Sequence, residues 1–326
     1  MKKNTLAVFD RDEEYVSKLM TYMSDRRSVP LEIQGFTDRE KLLDYINGSP
    51  VDILLITEED LDEELESYST GEMMVLSVDD CSSNKKGHKT ICKYQSYENI
   101  MREVMCYYAE SPLTEECILS HISTEIIGIY SPVRRCFRTS FAFALGEILS
   151  EREKVLYLNL EEYSGFNQLL RKNYMSDLSD LLFYIGQKKR NFPCKLASIV
   201  EKAGILDYIP PVISPLDINT VERSTWITFF NELQNCDYSK IVVDLGDSIS
   251  AFPDILSSCK KIYMPVRDDP VSRAKLEQYE AMLRIMEYGD IMEKTETLTI
   301  PFIKGFNPDL YSLASSPLGD FVRTVL

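Results

Sequence analysis

Three arginines and two hydroxyls, Arg134, Arg135, Arg138, Thr139 and Ser140, crowd into one short stretch just ahead of a helical pattern. Cations gathered where a helix begins, with its backbone N–H groups exposed, form a site for an anion. The apolar run from Glu125 to Ser131 precedes this stretch, the segment from Pro132 to Ser140 reads as a loop, and a helix is expected over Phe141 to Ser150. Strand, loop, helix is the order in which backbone amides bind phosphate. Two acids end later apolar runs, Glu161 after Val155–Leu160 and Asp244 after Lys240–Val243. A second set stands in the first third of the chain, where Asp10, Thr57, Ser77 and Lys93 each end an apolar run of their own. An acid, two hydroxyls and an amine of this kind could serve phosphoryl chemistry, or could hold the end of a sheet together through an Asp10–Lys93 pair.

The elements that must position these residues can be read from the pattern. Apolar runs at Leu6–Phe9, Leu31–Phe36, Ile53–Ile56, Met73–Val78 and Thr90–Cys92 alternate with amphipathic stretches over about 13–25, 38–47 and 97–108. That alternation is the sequence form of a doubly wound α/β domain. The acidic stretch Glu58–Glu66 reads as a solvated helix face, and Asp79–Lys89, with Gly87, as a loop before the last strand.

This half resembles a response-regulator receiver, in which an acidic pair ends the first strand, a phosphorylated Asp the third, a Ser or Thr the fourth and a Lys the fifth. Asp10, Ser77 and Lys93 keep the pattern, while Arg11 replaces the second acid and Thr57 the phosphoacceptor. Phosphotransfer needs a carboxylate nucleophile and a Mg²⁺ held by several oxygens. A lone hydroxyl cannot supply the first, and a guanidinium beside Asp10 opposes the second, so the site is expected to be vestigial. Glu58 and Glu59, directly after Thr57, offer a standing negative charge in place of a phosphoryl group.

After Ala109 a short segment with Pro112 separates the halves, giving an expected division into residues 1–109, a linker at 110–124 and a second domain at 125–326. The order of strands and helices in that second domain resembles the MinD/ParA group of P-loop NTPases. A receiver-like domain followed by such a domain resembles the TadZ/CpaE pilus-assembly localisation proteins. The expected fold class is therefore α/β with two doubly wound domains, a receiver-like (flavodoxin-like) one and a MinD/ParA-like P-loop one. In the family the loop reads K-G-G-x-G-K-T-[ST]; here it falls on Val133, Arg134, Arg135, Cys136, Phe137, Arg138, Thr139 and Ser140. Both lysines and all three glycines are gone. Glycines let main-chain amides face the phosphates at φ values costly for other residues, so the side chains of Arg134, Arg135 and Phe137 are expected to fill the phosphate space. Arg138 keeps the charge of the loop lysine but not its shape.

The resemblance carries two more roles across: Glu161 falls where an acid orients the attacking water, and Asp244 where the Walker B acid supports Mg²⁺, with Thr139 as the metal's hydroxyl ligand. With the loop altered, the expectation is a pseudo-ATPase that holds no cofactor and has no catalytic residue beyond the candidate Glu161. The alternatives are an atypical ATPase binding ATP and Mg²⁺ through Thr139 and Asp244, with nucleotide-controlled dimerisation, and a response-regulator-like signalling protein. The resemblance further implies protein partners in pilus or secretion machinery, a homodimer, and a bacterial cytoplasmic protein recruited to a cell pole or envelope machine.

Charge and composition narrow the rest. Acidic residues number 52 against 36 basic, a net −16, which repels nucleic acid and anionic lipid. No apolar run is long enough to span a bilayer, so no membrane insertion is expected. Eight cysteines without a C-x-x-C pair and two distant histidines, His88 and His121, predict neither a zinc site nor disulfides. The stripe Trp226, Phe229, Phe230 and Leu233 has the helical spacing of a core face. The last segment, Ser316–Leu326, is amphipathic with Arg323 as its one base, and is expected to dock on its own domain and not on a membrane.

Overall fold

The computed structural model describes residues 4–25, 30–68, 71–78, 84, 87–111, 124–189, 191–301 and 310–326. The linker expected at 110–124 and the loop after Ser77 lie largely outside these residues.

The first unit begins with β1 (Asn4–Phe9), α1 (Glu13–Asp25), β2 (Leu31–Phe36), α2 (Arg39–Gly48) and β3 (Ile53–Thr57). It continues with α3 (Glu63–Tyr68), β4 (Glu72–Ser77), β5 (Lys89–Cys92) and α4 (Tyr97–Glu110). The five strands are parallel in the order β2-β1-β3-β4-β5. A parallel sheet is covered on both faces, which is why β1, β3 and β4 read as continuous apolar runs without alternation. Helices start where short polar side chains close the first turn: Asp38 accepts from Glu40 N and Lys41 N ahead of α2, and Ser96 from Asn99 N ahead of α4.

The second unit carries β6 (Glu125–Ile129), α5 (Arg138–Ser150), β7 (Val155–Leu160), α6 (Phe166–Leu169) and α7 (Leu178–Gly186), followed by α8 (Phe192–Ile199). Next come β8 (Glu201–Ala203), β9 (Leu206–Ile209), α9 (Leu216–Asn219), α10 (Arg223–Gln234), β10 (Lys240–Leu245) and α11 (Phe252–Ser258). β11 (Lys261–Val266), α12 (Pro270–Ile285), α13 (Gly289–Glu293), β12 (Thr295–Thr299) and α14 (Pro317–Val325) complete it. Seven strands run in the order β12-β11-β6-β10-β7-β9-β8, parallel except for the β8–β9 hairpin. Residues 188–199, including α8, group with the first unit, where α8 packs on α4 and Lys195 lies 3.6 Å from Cys106 Sγ. Contiguous sequence halves do not anticipate that second crossing of the chain between the units.

The core of the second unit explains how its loop is held. α5 is buried on almost every face from Phe141 to Ile148, because the sheet lies on one side and α14 on the other. A helix apolar all round is one enclosed by its own domain. Leu318 and Val322 of α14 join Phe141, Leu145 and Tyr263 in this cluster, so the terminal helix docks on its own domain as its weakly basic face predicts. Glu147, buried within α5, accepts from Ala314 N at 3.1 Å and so satisfies the turn that precedes α14. Trp226, Phe229, Phe230 and Leu233 are all buried, as their spacing predicts.

Candidate functional site

In a doubly wound sheet the C-terminal strand ends face a crevice where the winding reverses, and ligand chemistry concentrates there. β6, β10 and β7 are neighbours in the sheet and deliver Ser131, Asp244 and Glu161 to that edge. The loop from β6 to α5 closes over them. Ser131 Oγ accepts from Val133 N at 3.1 Å, and the Cys136 thiol donates to Val133 O at 3.1 Å, so the turn is tied within itself. Burial pushes the Cys136 thiol pKa up, which keeps it a structural donor and not a nucleophile.

The loop backbone keeps a shape that its side chains should resist. Arg135 has φ 57° and Phe137 φ 61°, both left-handed, at two of the three positions where the family pattern has glycine. Each such residue costs about 1 kcal/mol or more. The geometry persists because the flanks over-determine it: Phe137 packs against the buried cluster beneath α5, and Phe141 N donates to Phe137 O at 2.8 Å. The expectation that Arg134, Arg135 and Phe137 fill the phosphate space therefore needs correction. Arg134 and Arg135 are exposed, Phe137 turns onto the core, and these residues line a cleft of ≈ 470 Å³ together with Thr139, Ser140 and Glu161.

What enters the site is Arg138. Its guanidinium donates to Asp244 Oδ1 at 2.9 Å through Nε, and its other arm pairs with Glu161. Its side chain is 12% exposed and Asp244 is fully buried. The second oxygen of Asp244 accepts from Tyr157 OH and from Asn159 Nδ2, both at 3.3 Å, and Thr139 Oγ1 donates to Glu161 at 2.7 Å. Burial raises the Asp244 pKa to about 6; Arg138 pulls it down and Glu161 pushes it up. Burial opposes the charge of Arg138, but Asp244 and Glu161 outweigh it and hold the guanidinium protonated. Farther out, Arg134 lies 3.5 Å from Asp247, which also accepts from Tyr130 OH at 2.9 Å.

A resident Mg²⁺ asks for oxygen ligands with lone pairs free. Both oxygens of Asp244 are engaged by protein donors, and the Arg138 guanidinium already spans Asp244 Oδ1 and Glu161, where a divalent cation would need those oxygens. As they stand, these residues do not fit the metal. Among the described residues no group of three or more His, Cys, Asp or Glu is arranged to hold one elsewhere.

The receiver-like site is satisfied in the same manner. Lys93 Nζ lies 2.5 Å from Asp10 Oδ2, with both side chains nearly buried, and sits over the Tyr15 ring at 4.8 Å. Thr57 Oγ1 donates to Asp60 at 2.9 Å, and Arg11 reaches the same carboxylate at 2.5 Å. Ser77 Oγ donates to Glu58 at 2.7 Å. Asp10, Thr57, Ser77 and Lys93 thus come to one edge, but two acids from the turn after β3, Glu58 and Asp60, complete it. Asp60 stands outside the receiver pattern, and only its own burial beside Thr57 and Arg11 marks it.

Residues 1–109 match a family model described as TadZ-like, receiver domain. No curated protein matches the chain. Among solved structures, a plasmid partition protein from Borrelia burgdorferi is similar at 17% sequence identity and TM-score 0.44, covering 59% of this chain and 84% of that one. A chain of the MinC:MinD cell division protein complex of Aquifex aeolicus gives 16%, TM-score 0.42, 59% and 76%. McdA from Cyanthece gives 14%, TM-score 0.43, 62% and 83%. No helix among the described residues is long and apolar enough to cross a membrane. The parallel order β2-β1-β3-β4-β5, the Asp10–Lys93 pair at its edge and the match to the TadZ-like receiver model over residues 1–109 agree on a receiver-like first domain.

Proposed function

We propose that this chain is a non-catalytic localisation or assembly scaffold of the TadZ/CpaE kind, with its nucleotide and phosphoacceptor sites both degenerate and with a protein as its ligand. The observation that carries this reading is the Arg138 guanidinium bridging Asp244 and Glu161. A carboxylate pair that would support a metal and orient a water is already bridged by a cation of the chain itself, and Arg11 pairs in the same way with Asp60 in the first domain. The division at 1–109, 110–124 and 125–326, a homodimer, partners in pilus or secretion machinery and recruitment to a pole or envelope machine belong to the same proposal. The division rests on the Pro112 segment after Ala109, and the rest on the family resemblance alone. Titration of the full chain with Mg²⁺-ATP in a calorimeter is expected to give heats of dilution only. A saturable isotherm would overturn the reading.

One observation favours a second reading. The left-handed backbone at Arg135 and Phe137 keeps amides where a phosphate could meet them, beside an open cleft and exposed arginines. An atypical ATPase is its strong form. ATP turnover abolished by Arg138→Ala would support it, and a rate no different from background would remove it.

A further inference from the structure

The second unit carries another depression, ≈ 500 Å³, between α7 and the turn from α9 into α10. Its apolar wall is made by Leu182, Phe183 and Val221, and its charged wall by Asp180, Asp217 and Glu222. α7 already buries Leu178, Leu181, Leu182 and Ile185 against its own domain. Phe183 lies off that face and is 69% exposed, at a helix position where the pattern asks for a polar residue. Two more exposed apolar residues, Ile213 and Leu216, lead the chain into Asp217. Apolar groups gathered beside a polar rim mark a binding surface more often than a solvated face.

The rim decides the partner. Its charged lining is three carboxylates, with no lysine or arginine among the lining residues. The neighbouring cation, Arg223, is turned to Asp254 at 2.5 Å and does not neutralise Glu222. Nucleic acid and anionic headgroups are repelled by such a rim, and an acidic peptide equally. A helix with apolar side chains at i, i+3, i+4 and i+7, flanked by Lys and Arg, complements both walls at once.

We propose that this groove docks a basic amphipathic helix of a partner protein. The inference rests on the scaffold reading only for its premise that a protein is the ligand. Failure here shows in peptide binding, failure there in nucleotide binding.

The probe is a dye-labelled synthetic helix of leucine and lysine, leucines at i, i+3, i+4 and i+7, added to the full chain and followed by fluorescence anisotropy. A twin peptide with glutamate for lysine is the control. Saturable binding of the lysine peptide alone is expected, weakened at least ~tenfold by Phe183→Glu and retained by Phe183→Leu. Unspecific attraction to an acidic protein would strengthen when a carboxylate is added, so unchanged or tighter binding to Phe183→Glu overturns the proposal. Absence of binding to the natural chain does so as well. Asp217→Lys, at an exposed position, provides a second variant and is expected to weaken the lysine peptide. Should sedimentation show a dimer that Phe183→Glu dissociates, the occupant is a second copy of this chain and the proposal fails.

Discussion

Arg138 and Asp244 were legible in the sequence as positions, through the spacing of one loop and the end of one strand. Their relation was not. A family pattern assigns the first to phosphate and the second to metal, and nothing in linear order says that an arginine, longer and planar where lysine is compact, will bridge two acids of its own domain. The burial of Asp244 leaves a measurable trace. Asp244 is fully buried, faces Arg138, Tyr157, Asn159 and the nearby Glu161, and has its pKa raised to about 6, chiefly by burial. A raised acid contributes stability below its unfolded pKa, near 4, and loses that contribution as pH rises through 6. The stability of Asp244→Asn minus that of the natural chain is therefore expected to grow between about pH 4 and pH 7, by up to ~3 kcal/mol. Urea melts at a series of pH values would show it, and a difference flat across that range would contradict the assignment. Asp60 was hidden for a simpler reason: it sits in a run of acids whose composition suggests a solvated face, and only the fold reveals that one member turns inward to Arg11 and Thr57.

At the scale of elements the sequence was most informative where burial is two-sided. β1, β3, β4, β6, β7 and β10 are largely apolar runs, and the structure returns them within a residue or two of the pattern. The region from α6 to β8 was not legible, because its helices are short and its apolar residues follow no long period. α8 is buried along nearly its whole length and groups with the first unit, a tertiary fact that no local pattern encodes. The loop into α5 shows a third case, in which composition misleads. Loss of three glycines predicts a changed turn, yet Arg135 and Phe137 adopt the glycine-like conformation and bear its strain. Returning glycine at the exposed position, Arg135→Gly, is expected to stabilise the chain by about 1 kcal/mol, read as a higher urea midpoint at unchanged slope. A lower midpoint would mean that the Arg135 side chain holds the loop by contacts that outweigh its backbone strain.

At the scale of the whole molecule, a net charge of −16 and the absence of zinc or disulfide spacing bound the function class before any fold was known. They could not say which side chains would meet at the edges of the two sheets. In each domain an arginine stands against a buried acid, Arg11 on Asp60 and Arg138 on Asp244. Removing one partner of a buried pair leaves a charge without compensation and costs about 3–5 kcal/mol, whereas a cation bound only by the folded state restores stability by mass action. On the proposed reading, Arg138 does inside the cleft what a metal ion would do. Thermal unfolding of the natural chain and of Arg138→Ala, each with and without millimolar Mg²⁺ and ATP, tests it in one experiment. The natural chain is expected to melt at the same temperature under every condition, and Arg138→Ala to melt lower and to regain part of the loss when Mg²⁺ is added. A natural chain whose melting temperature climbs with Mg²⁺-ATP, or an Arg138→Ala variant as stable as its parent, would contradict the claim.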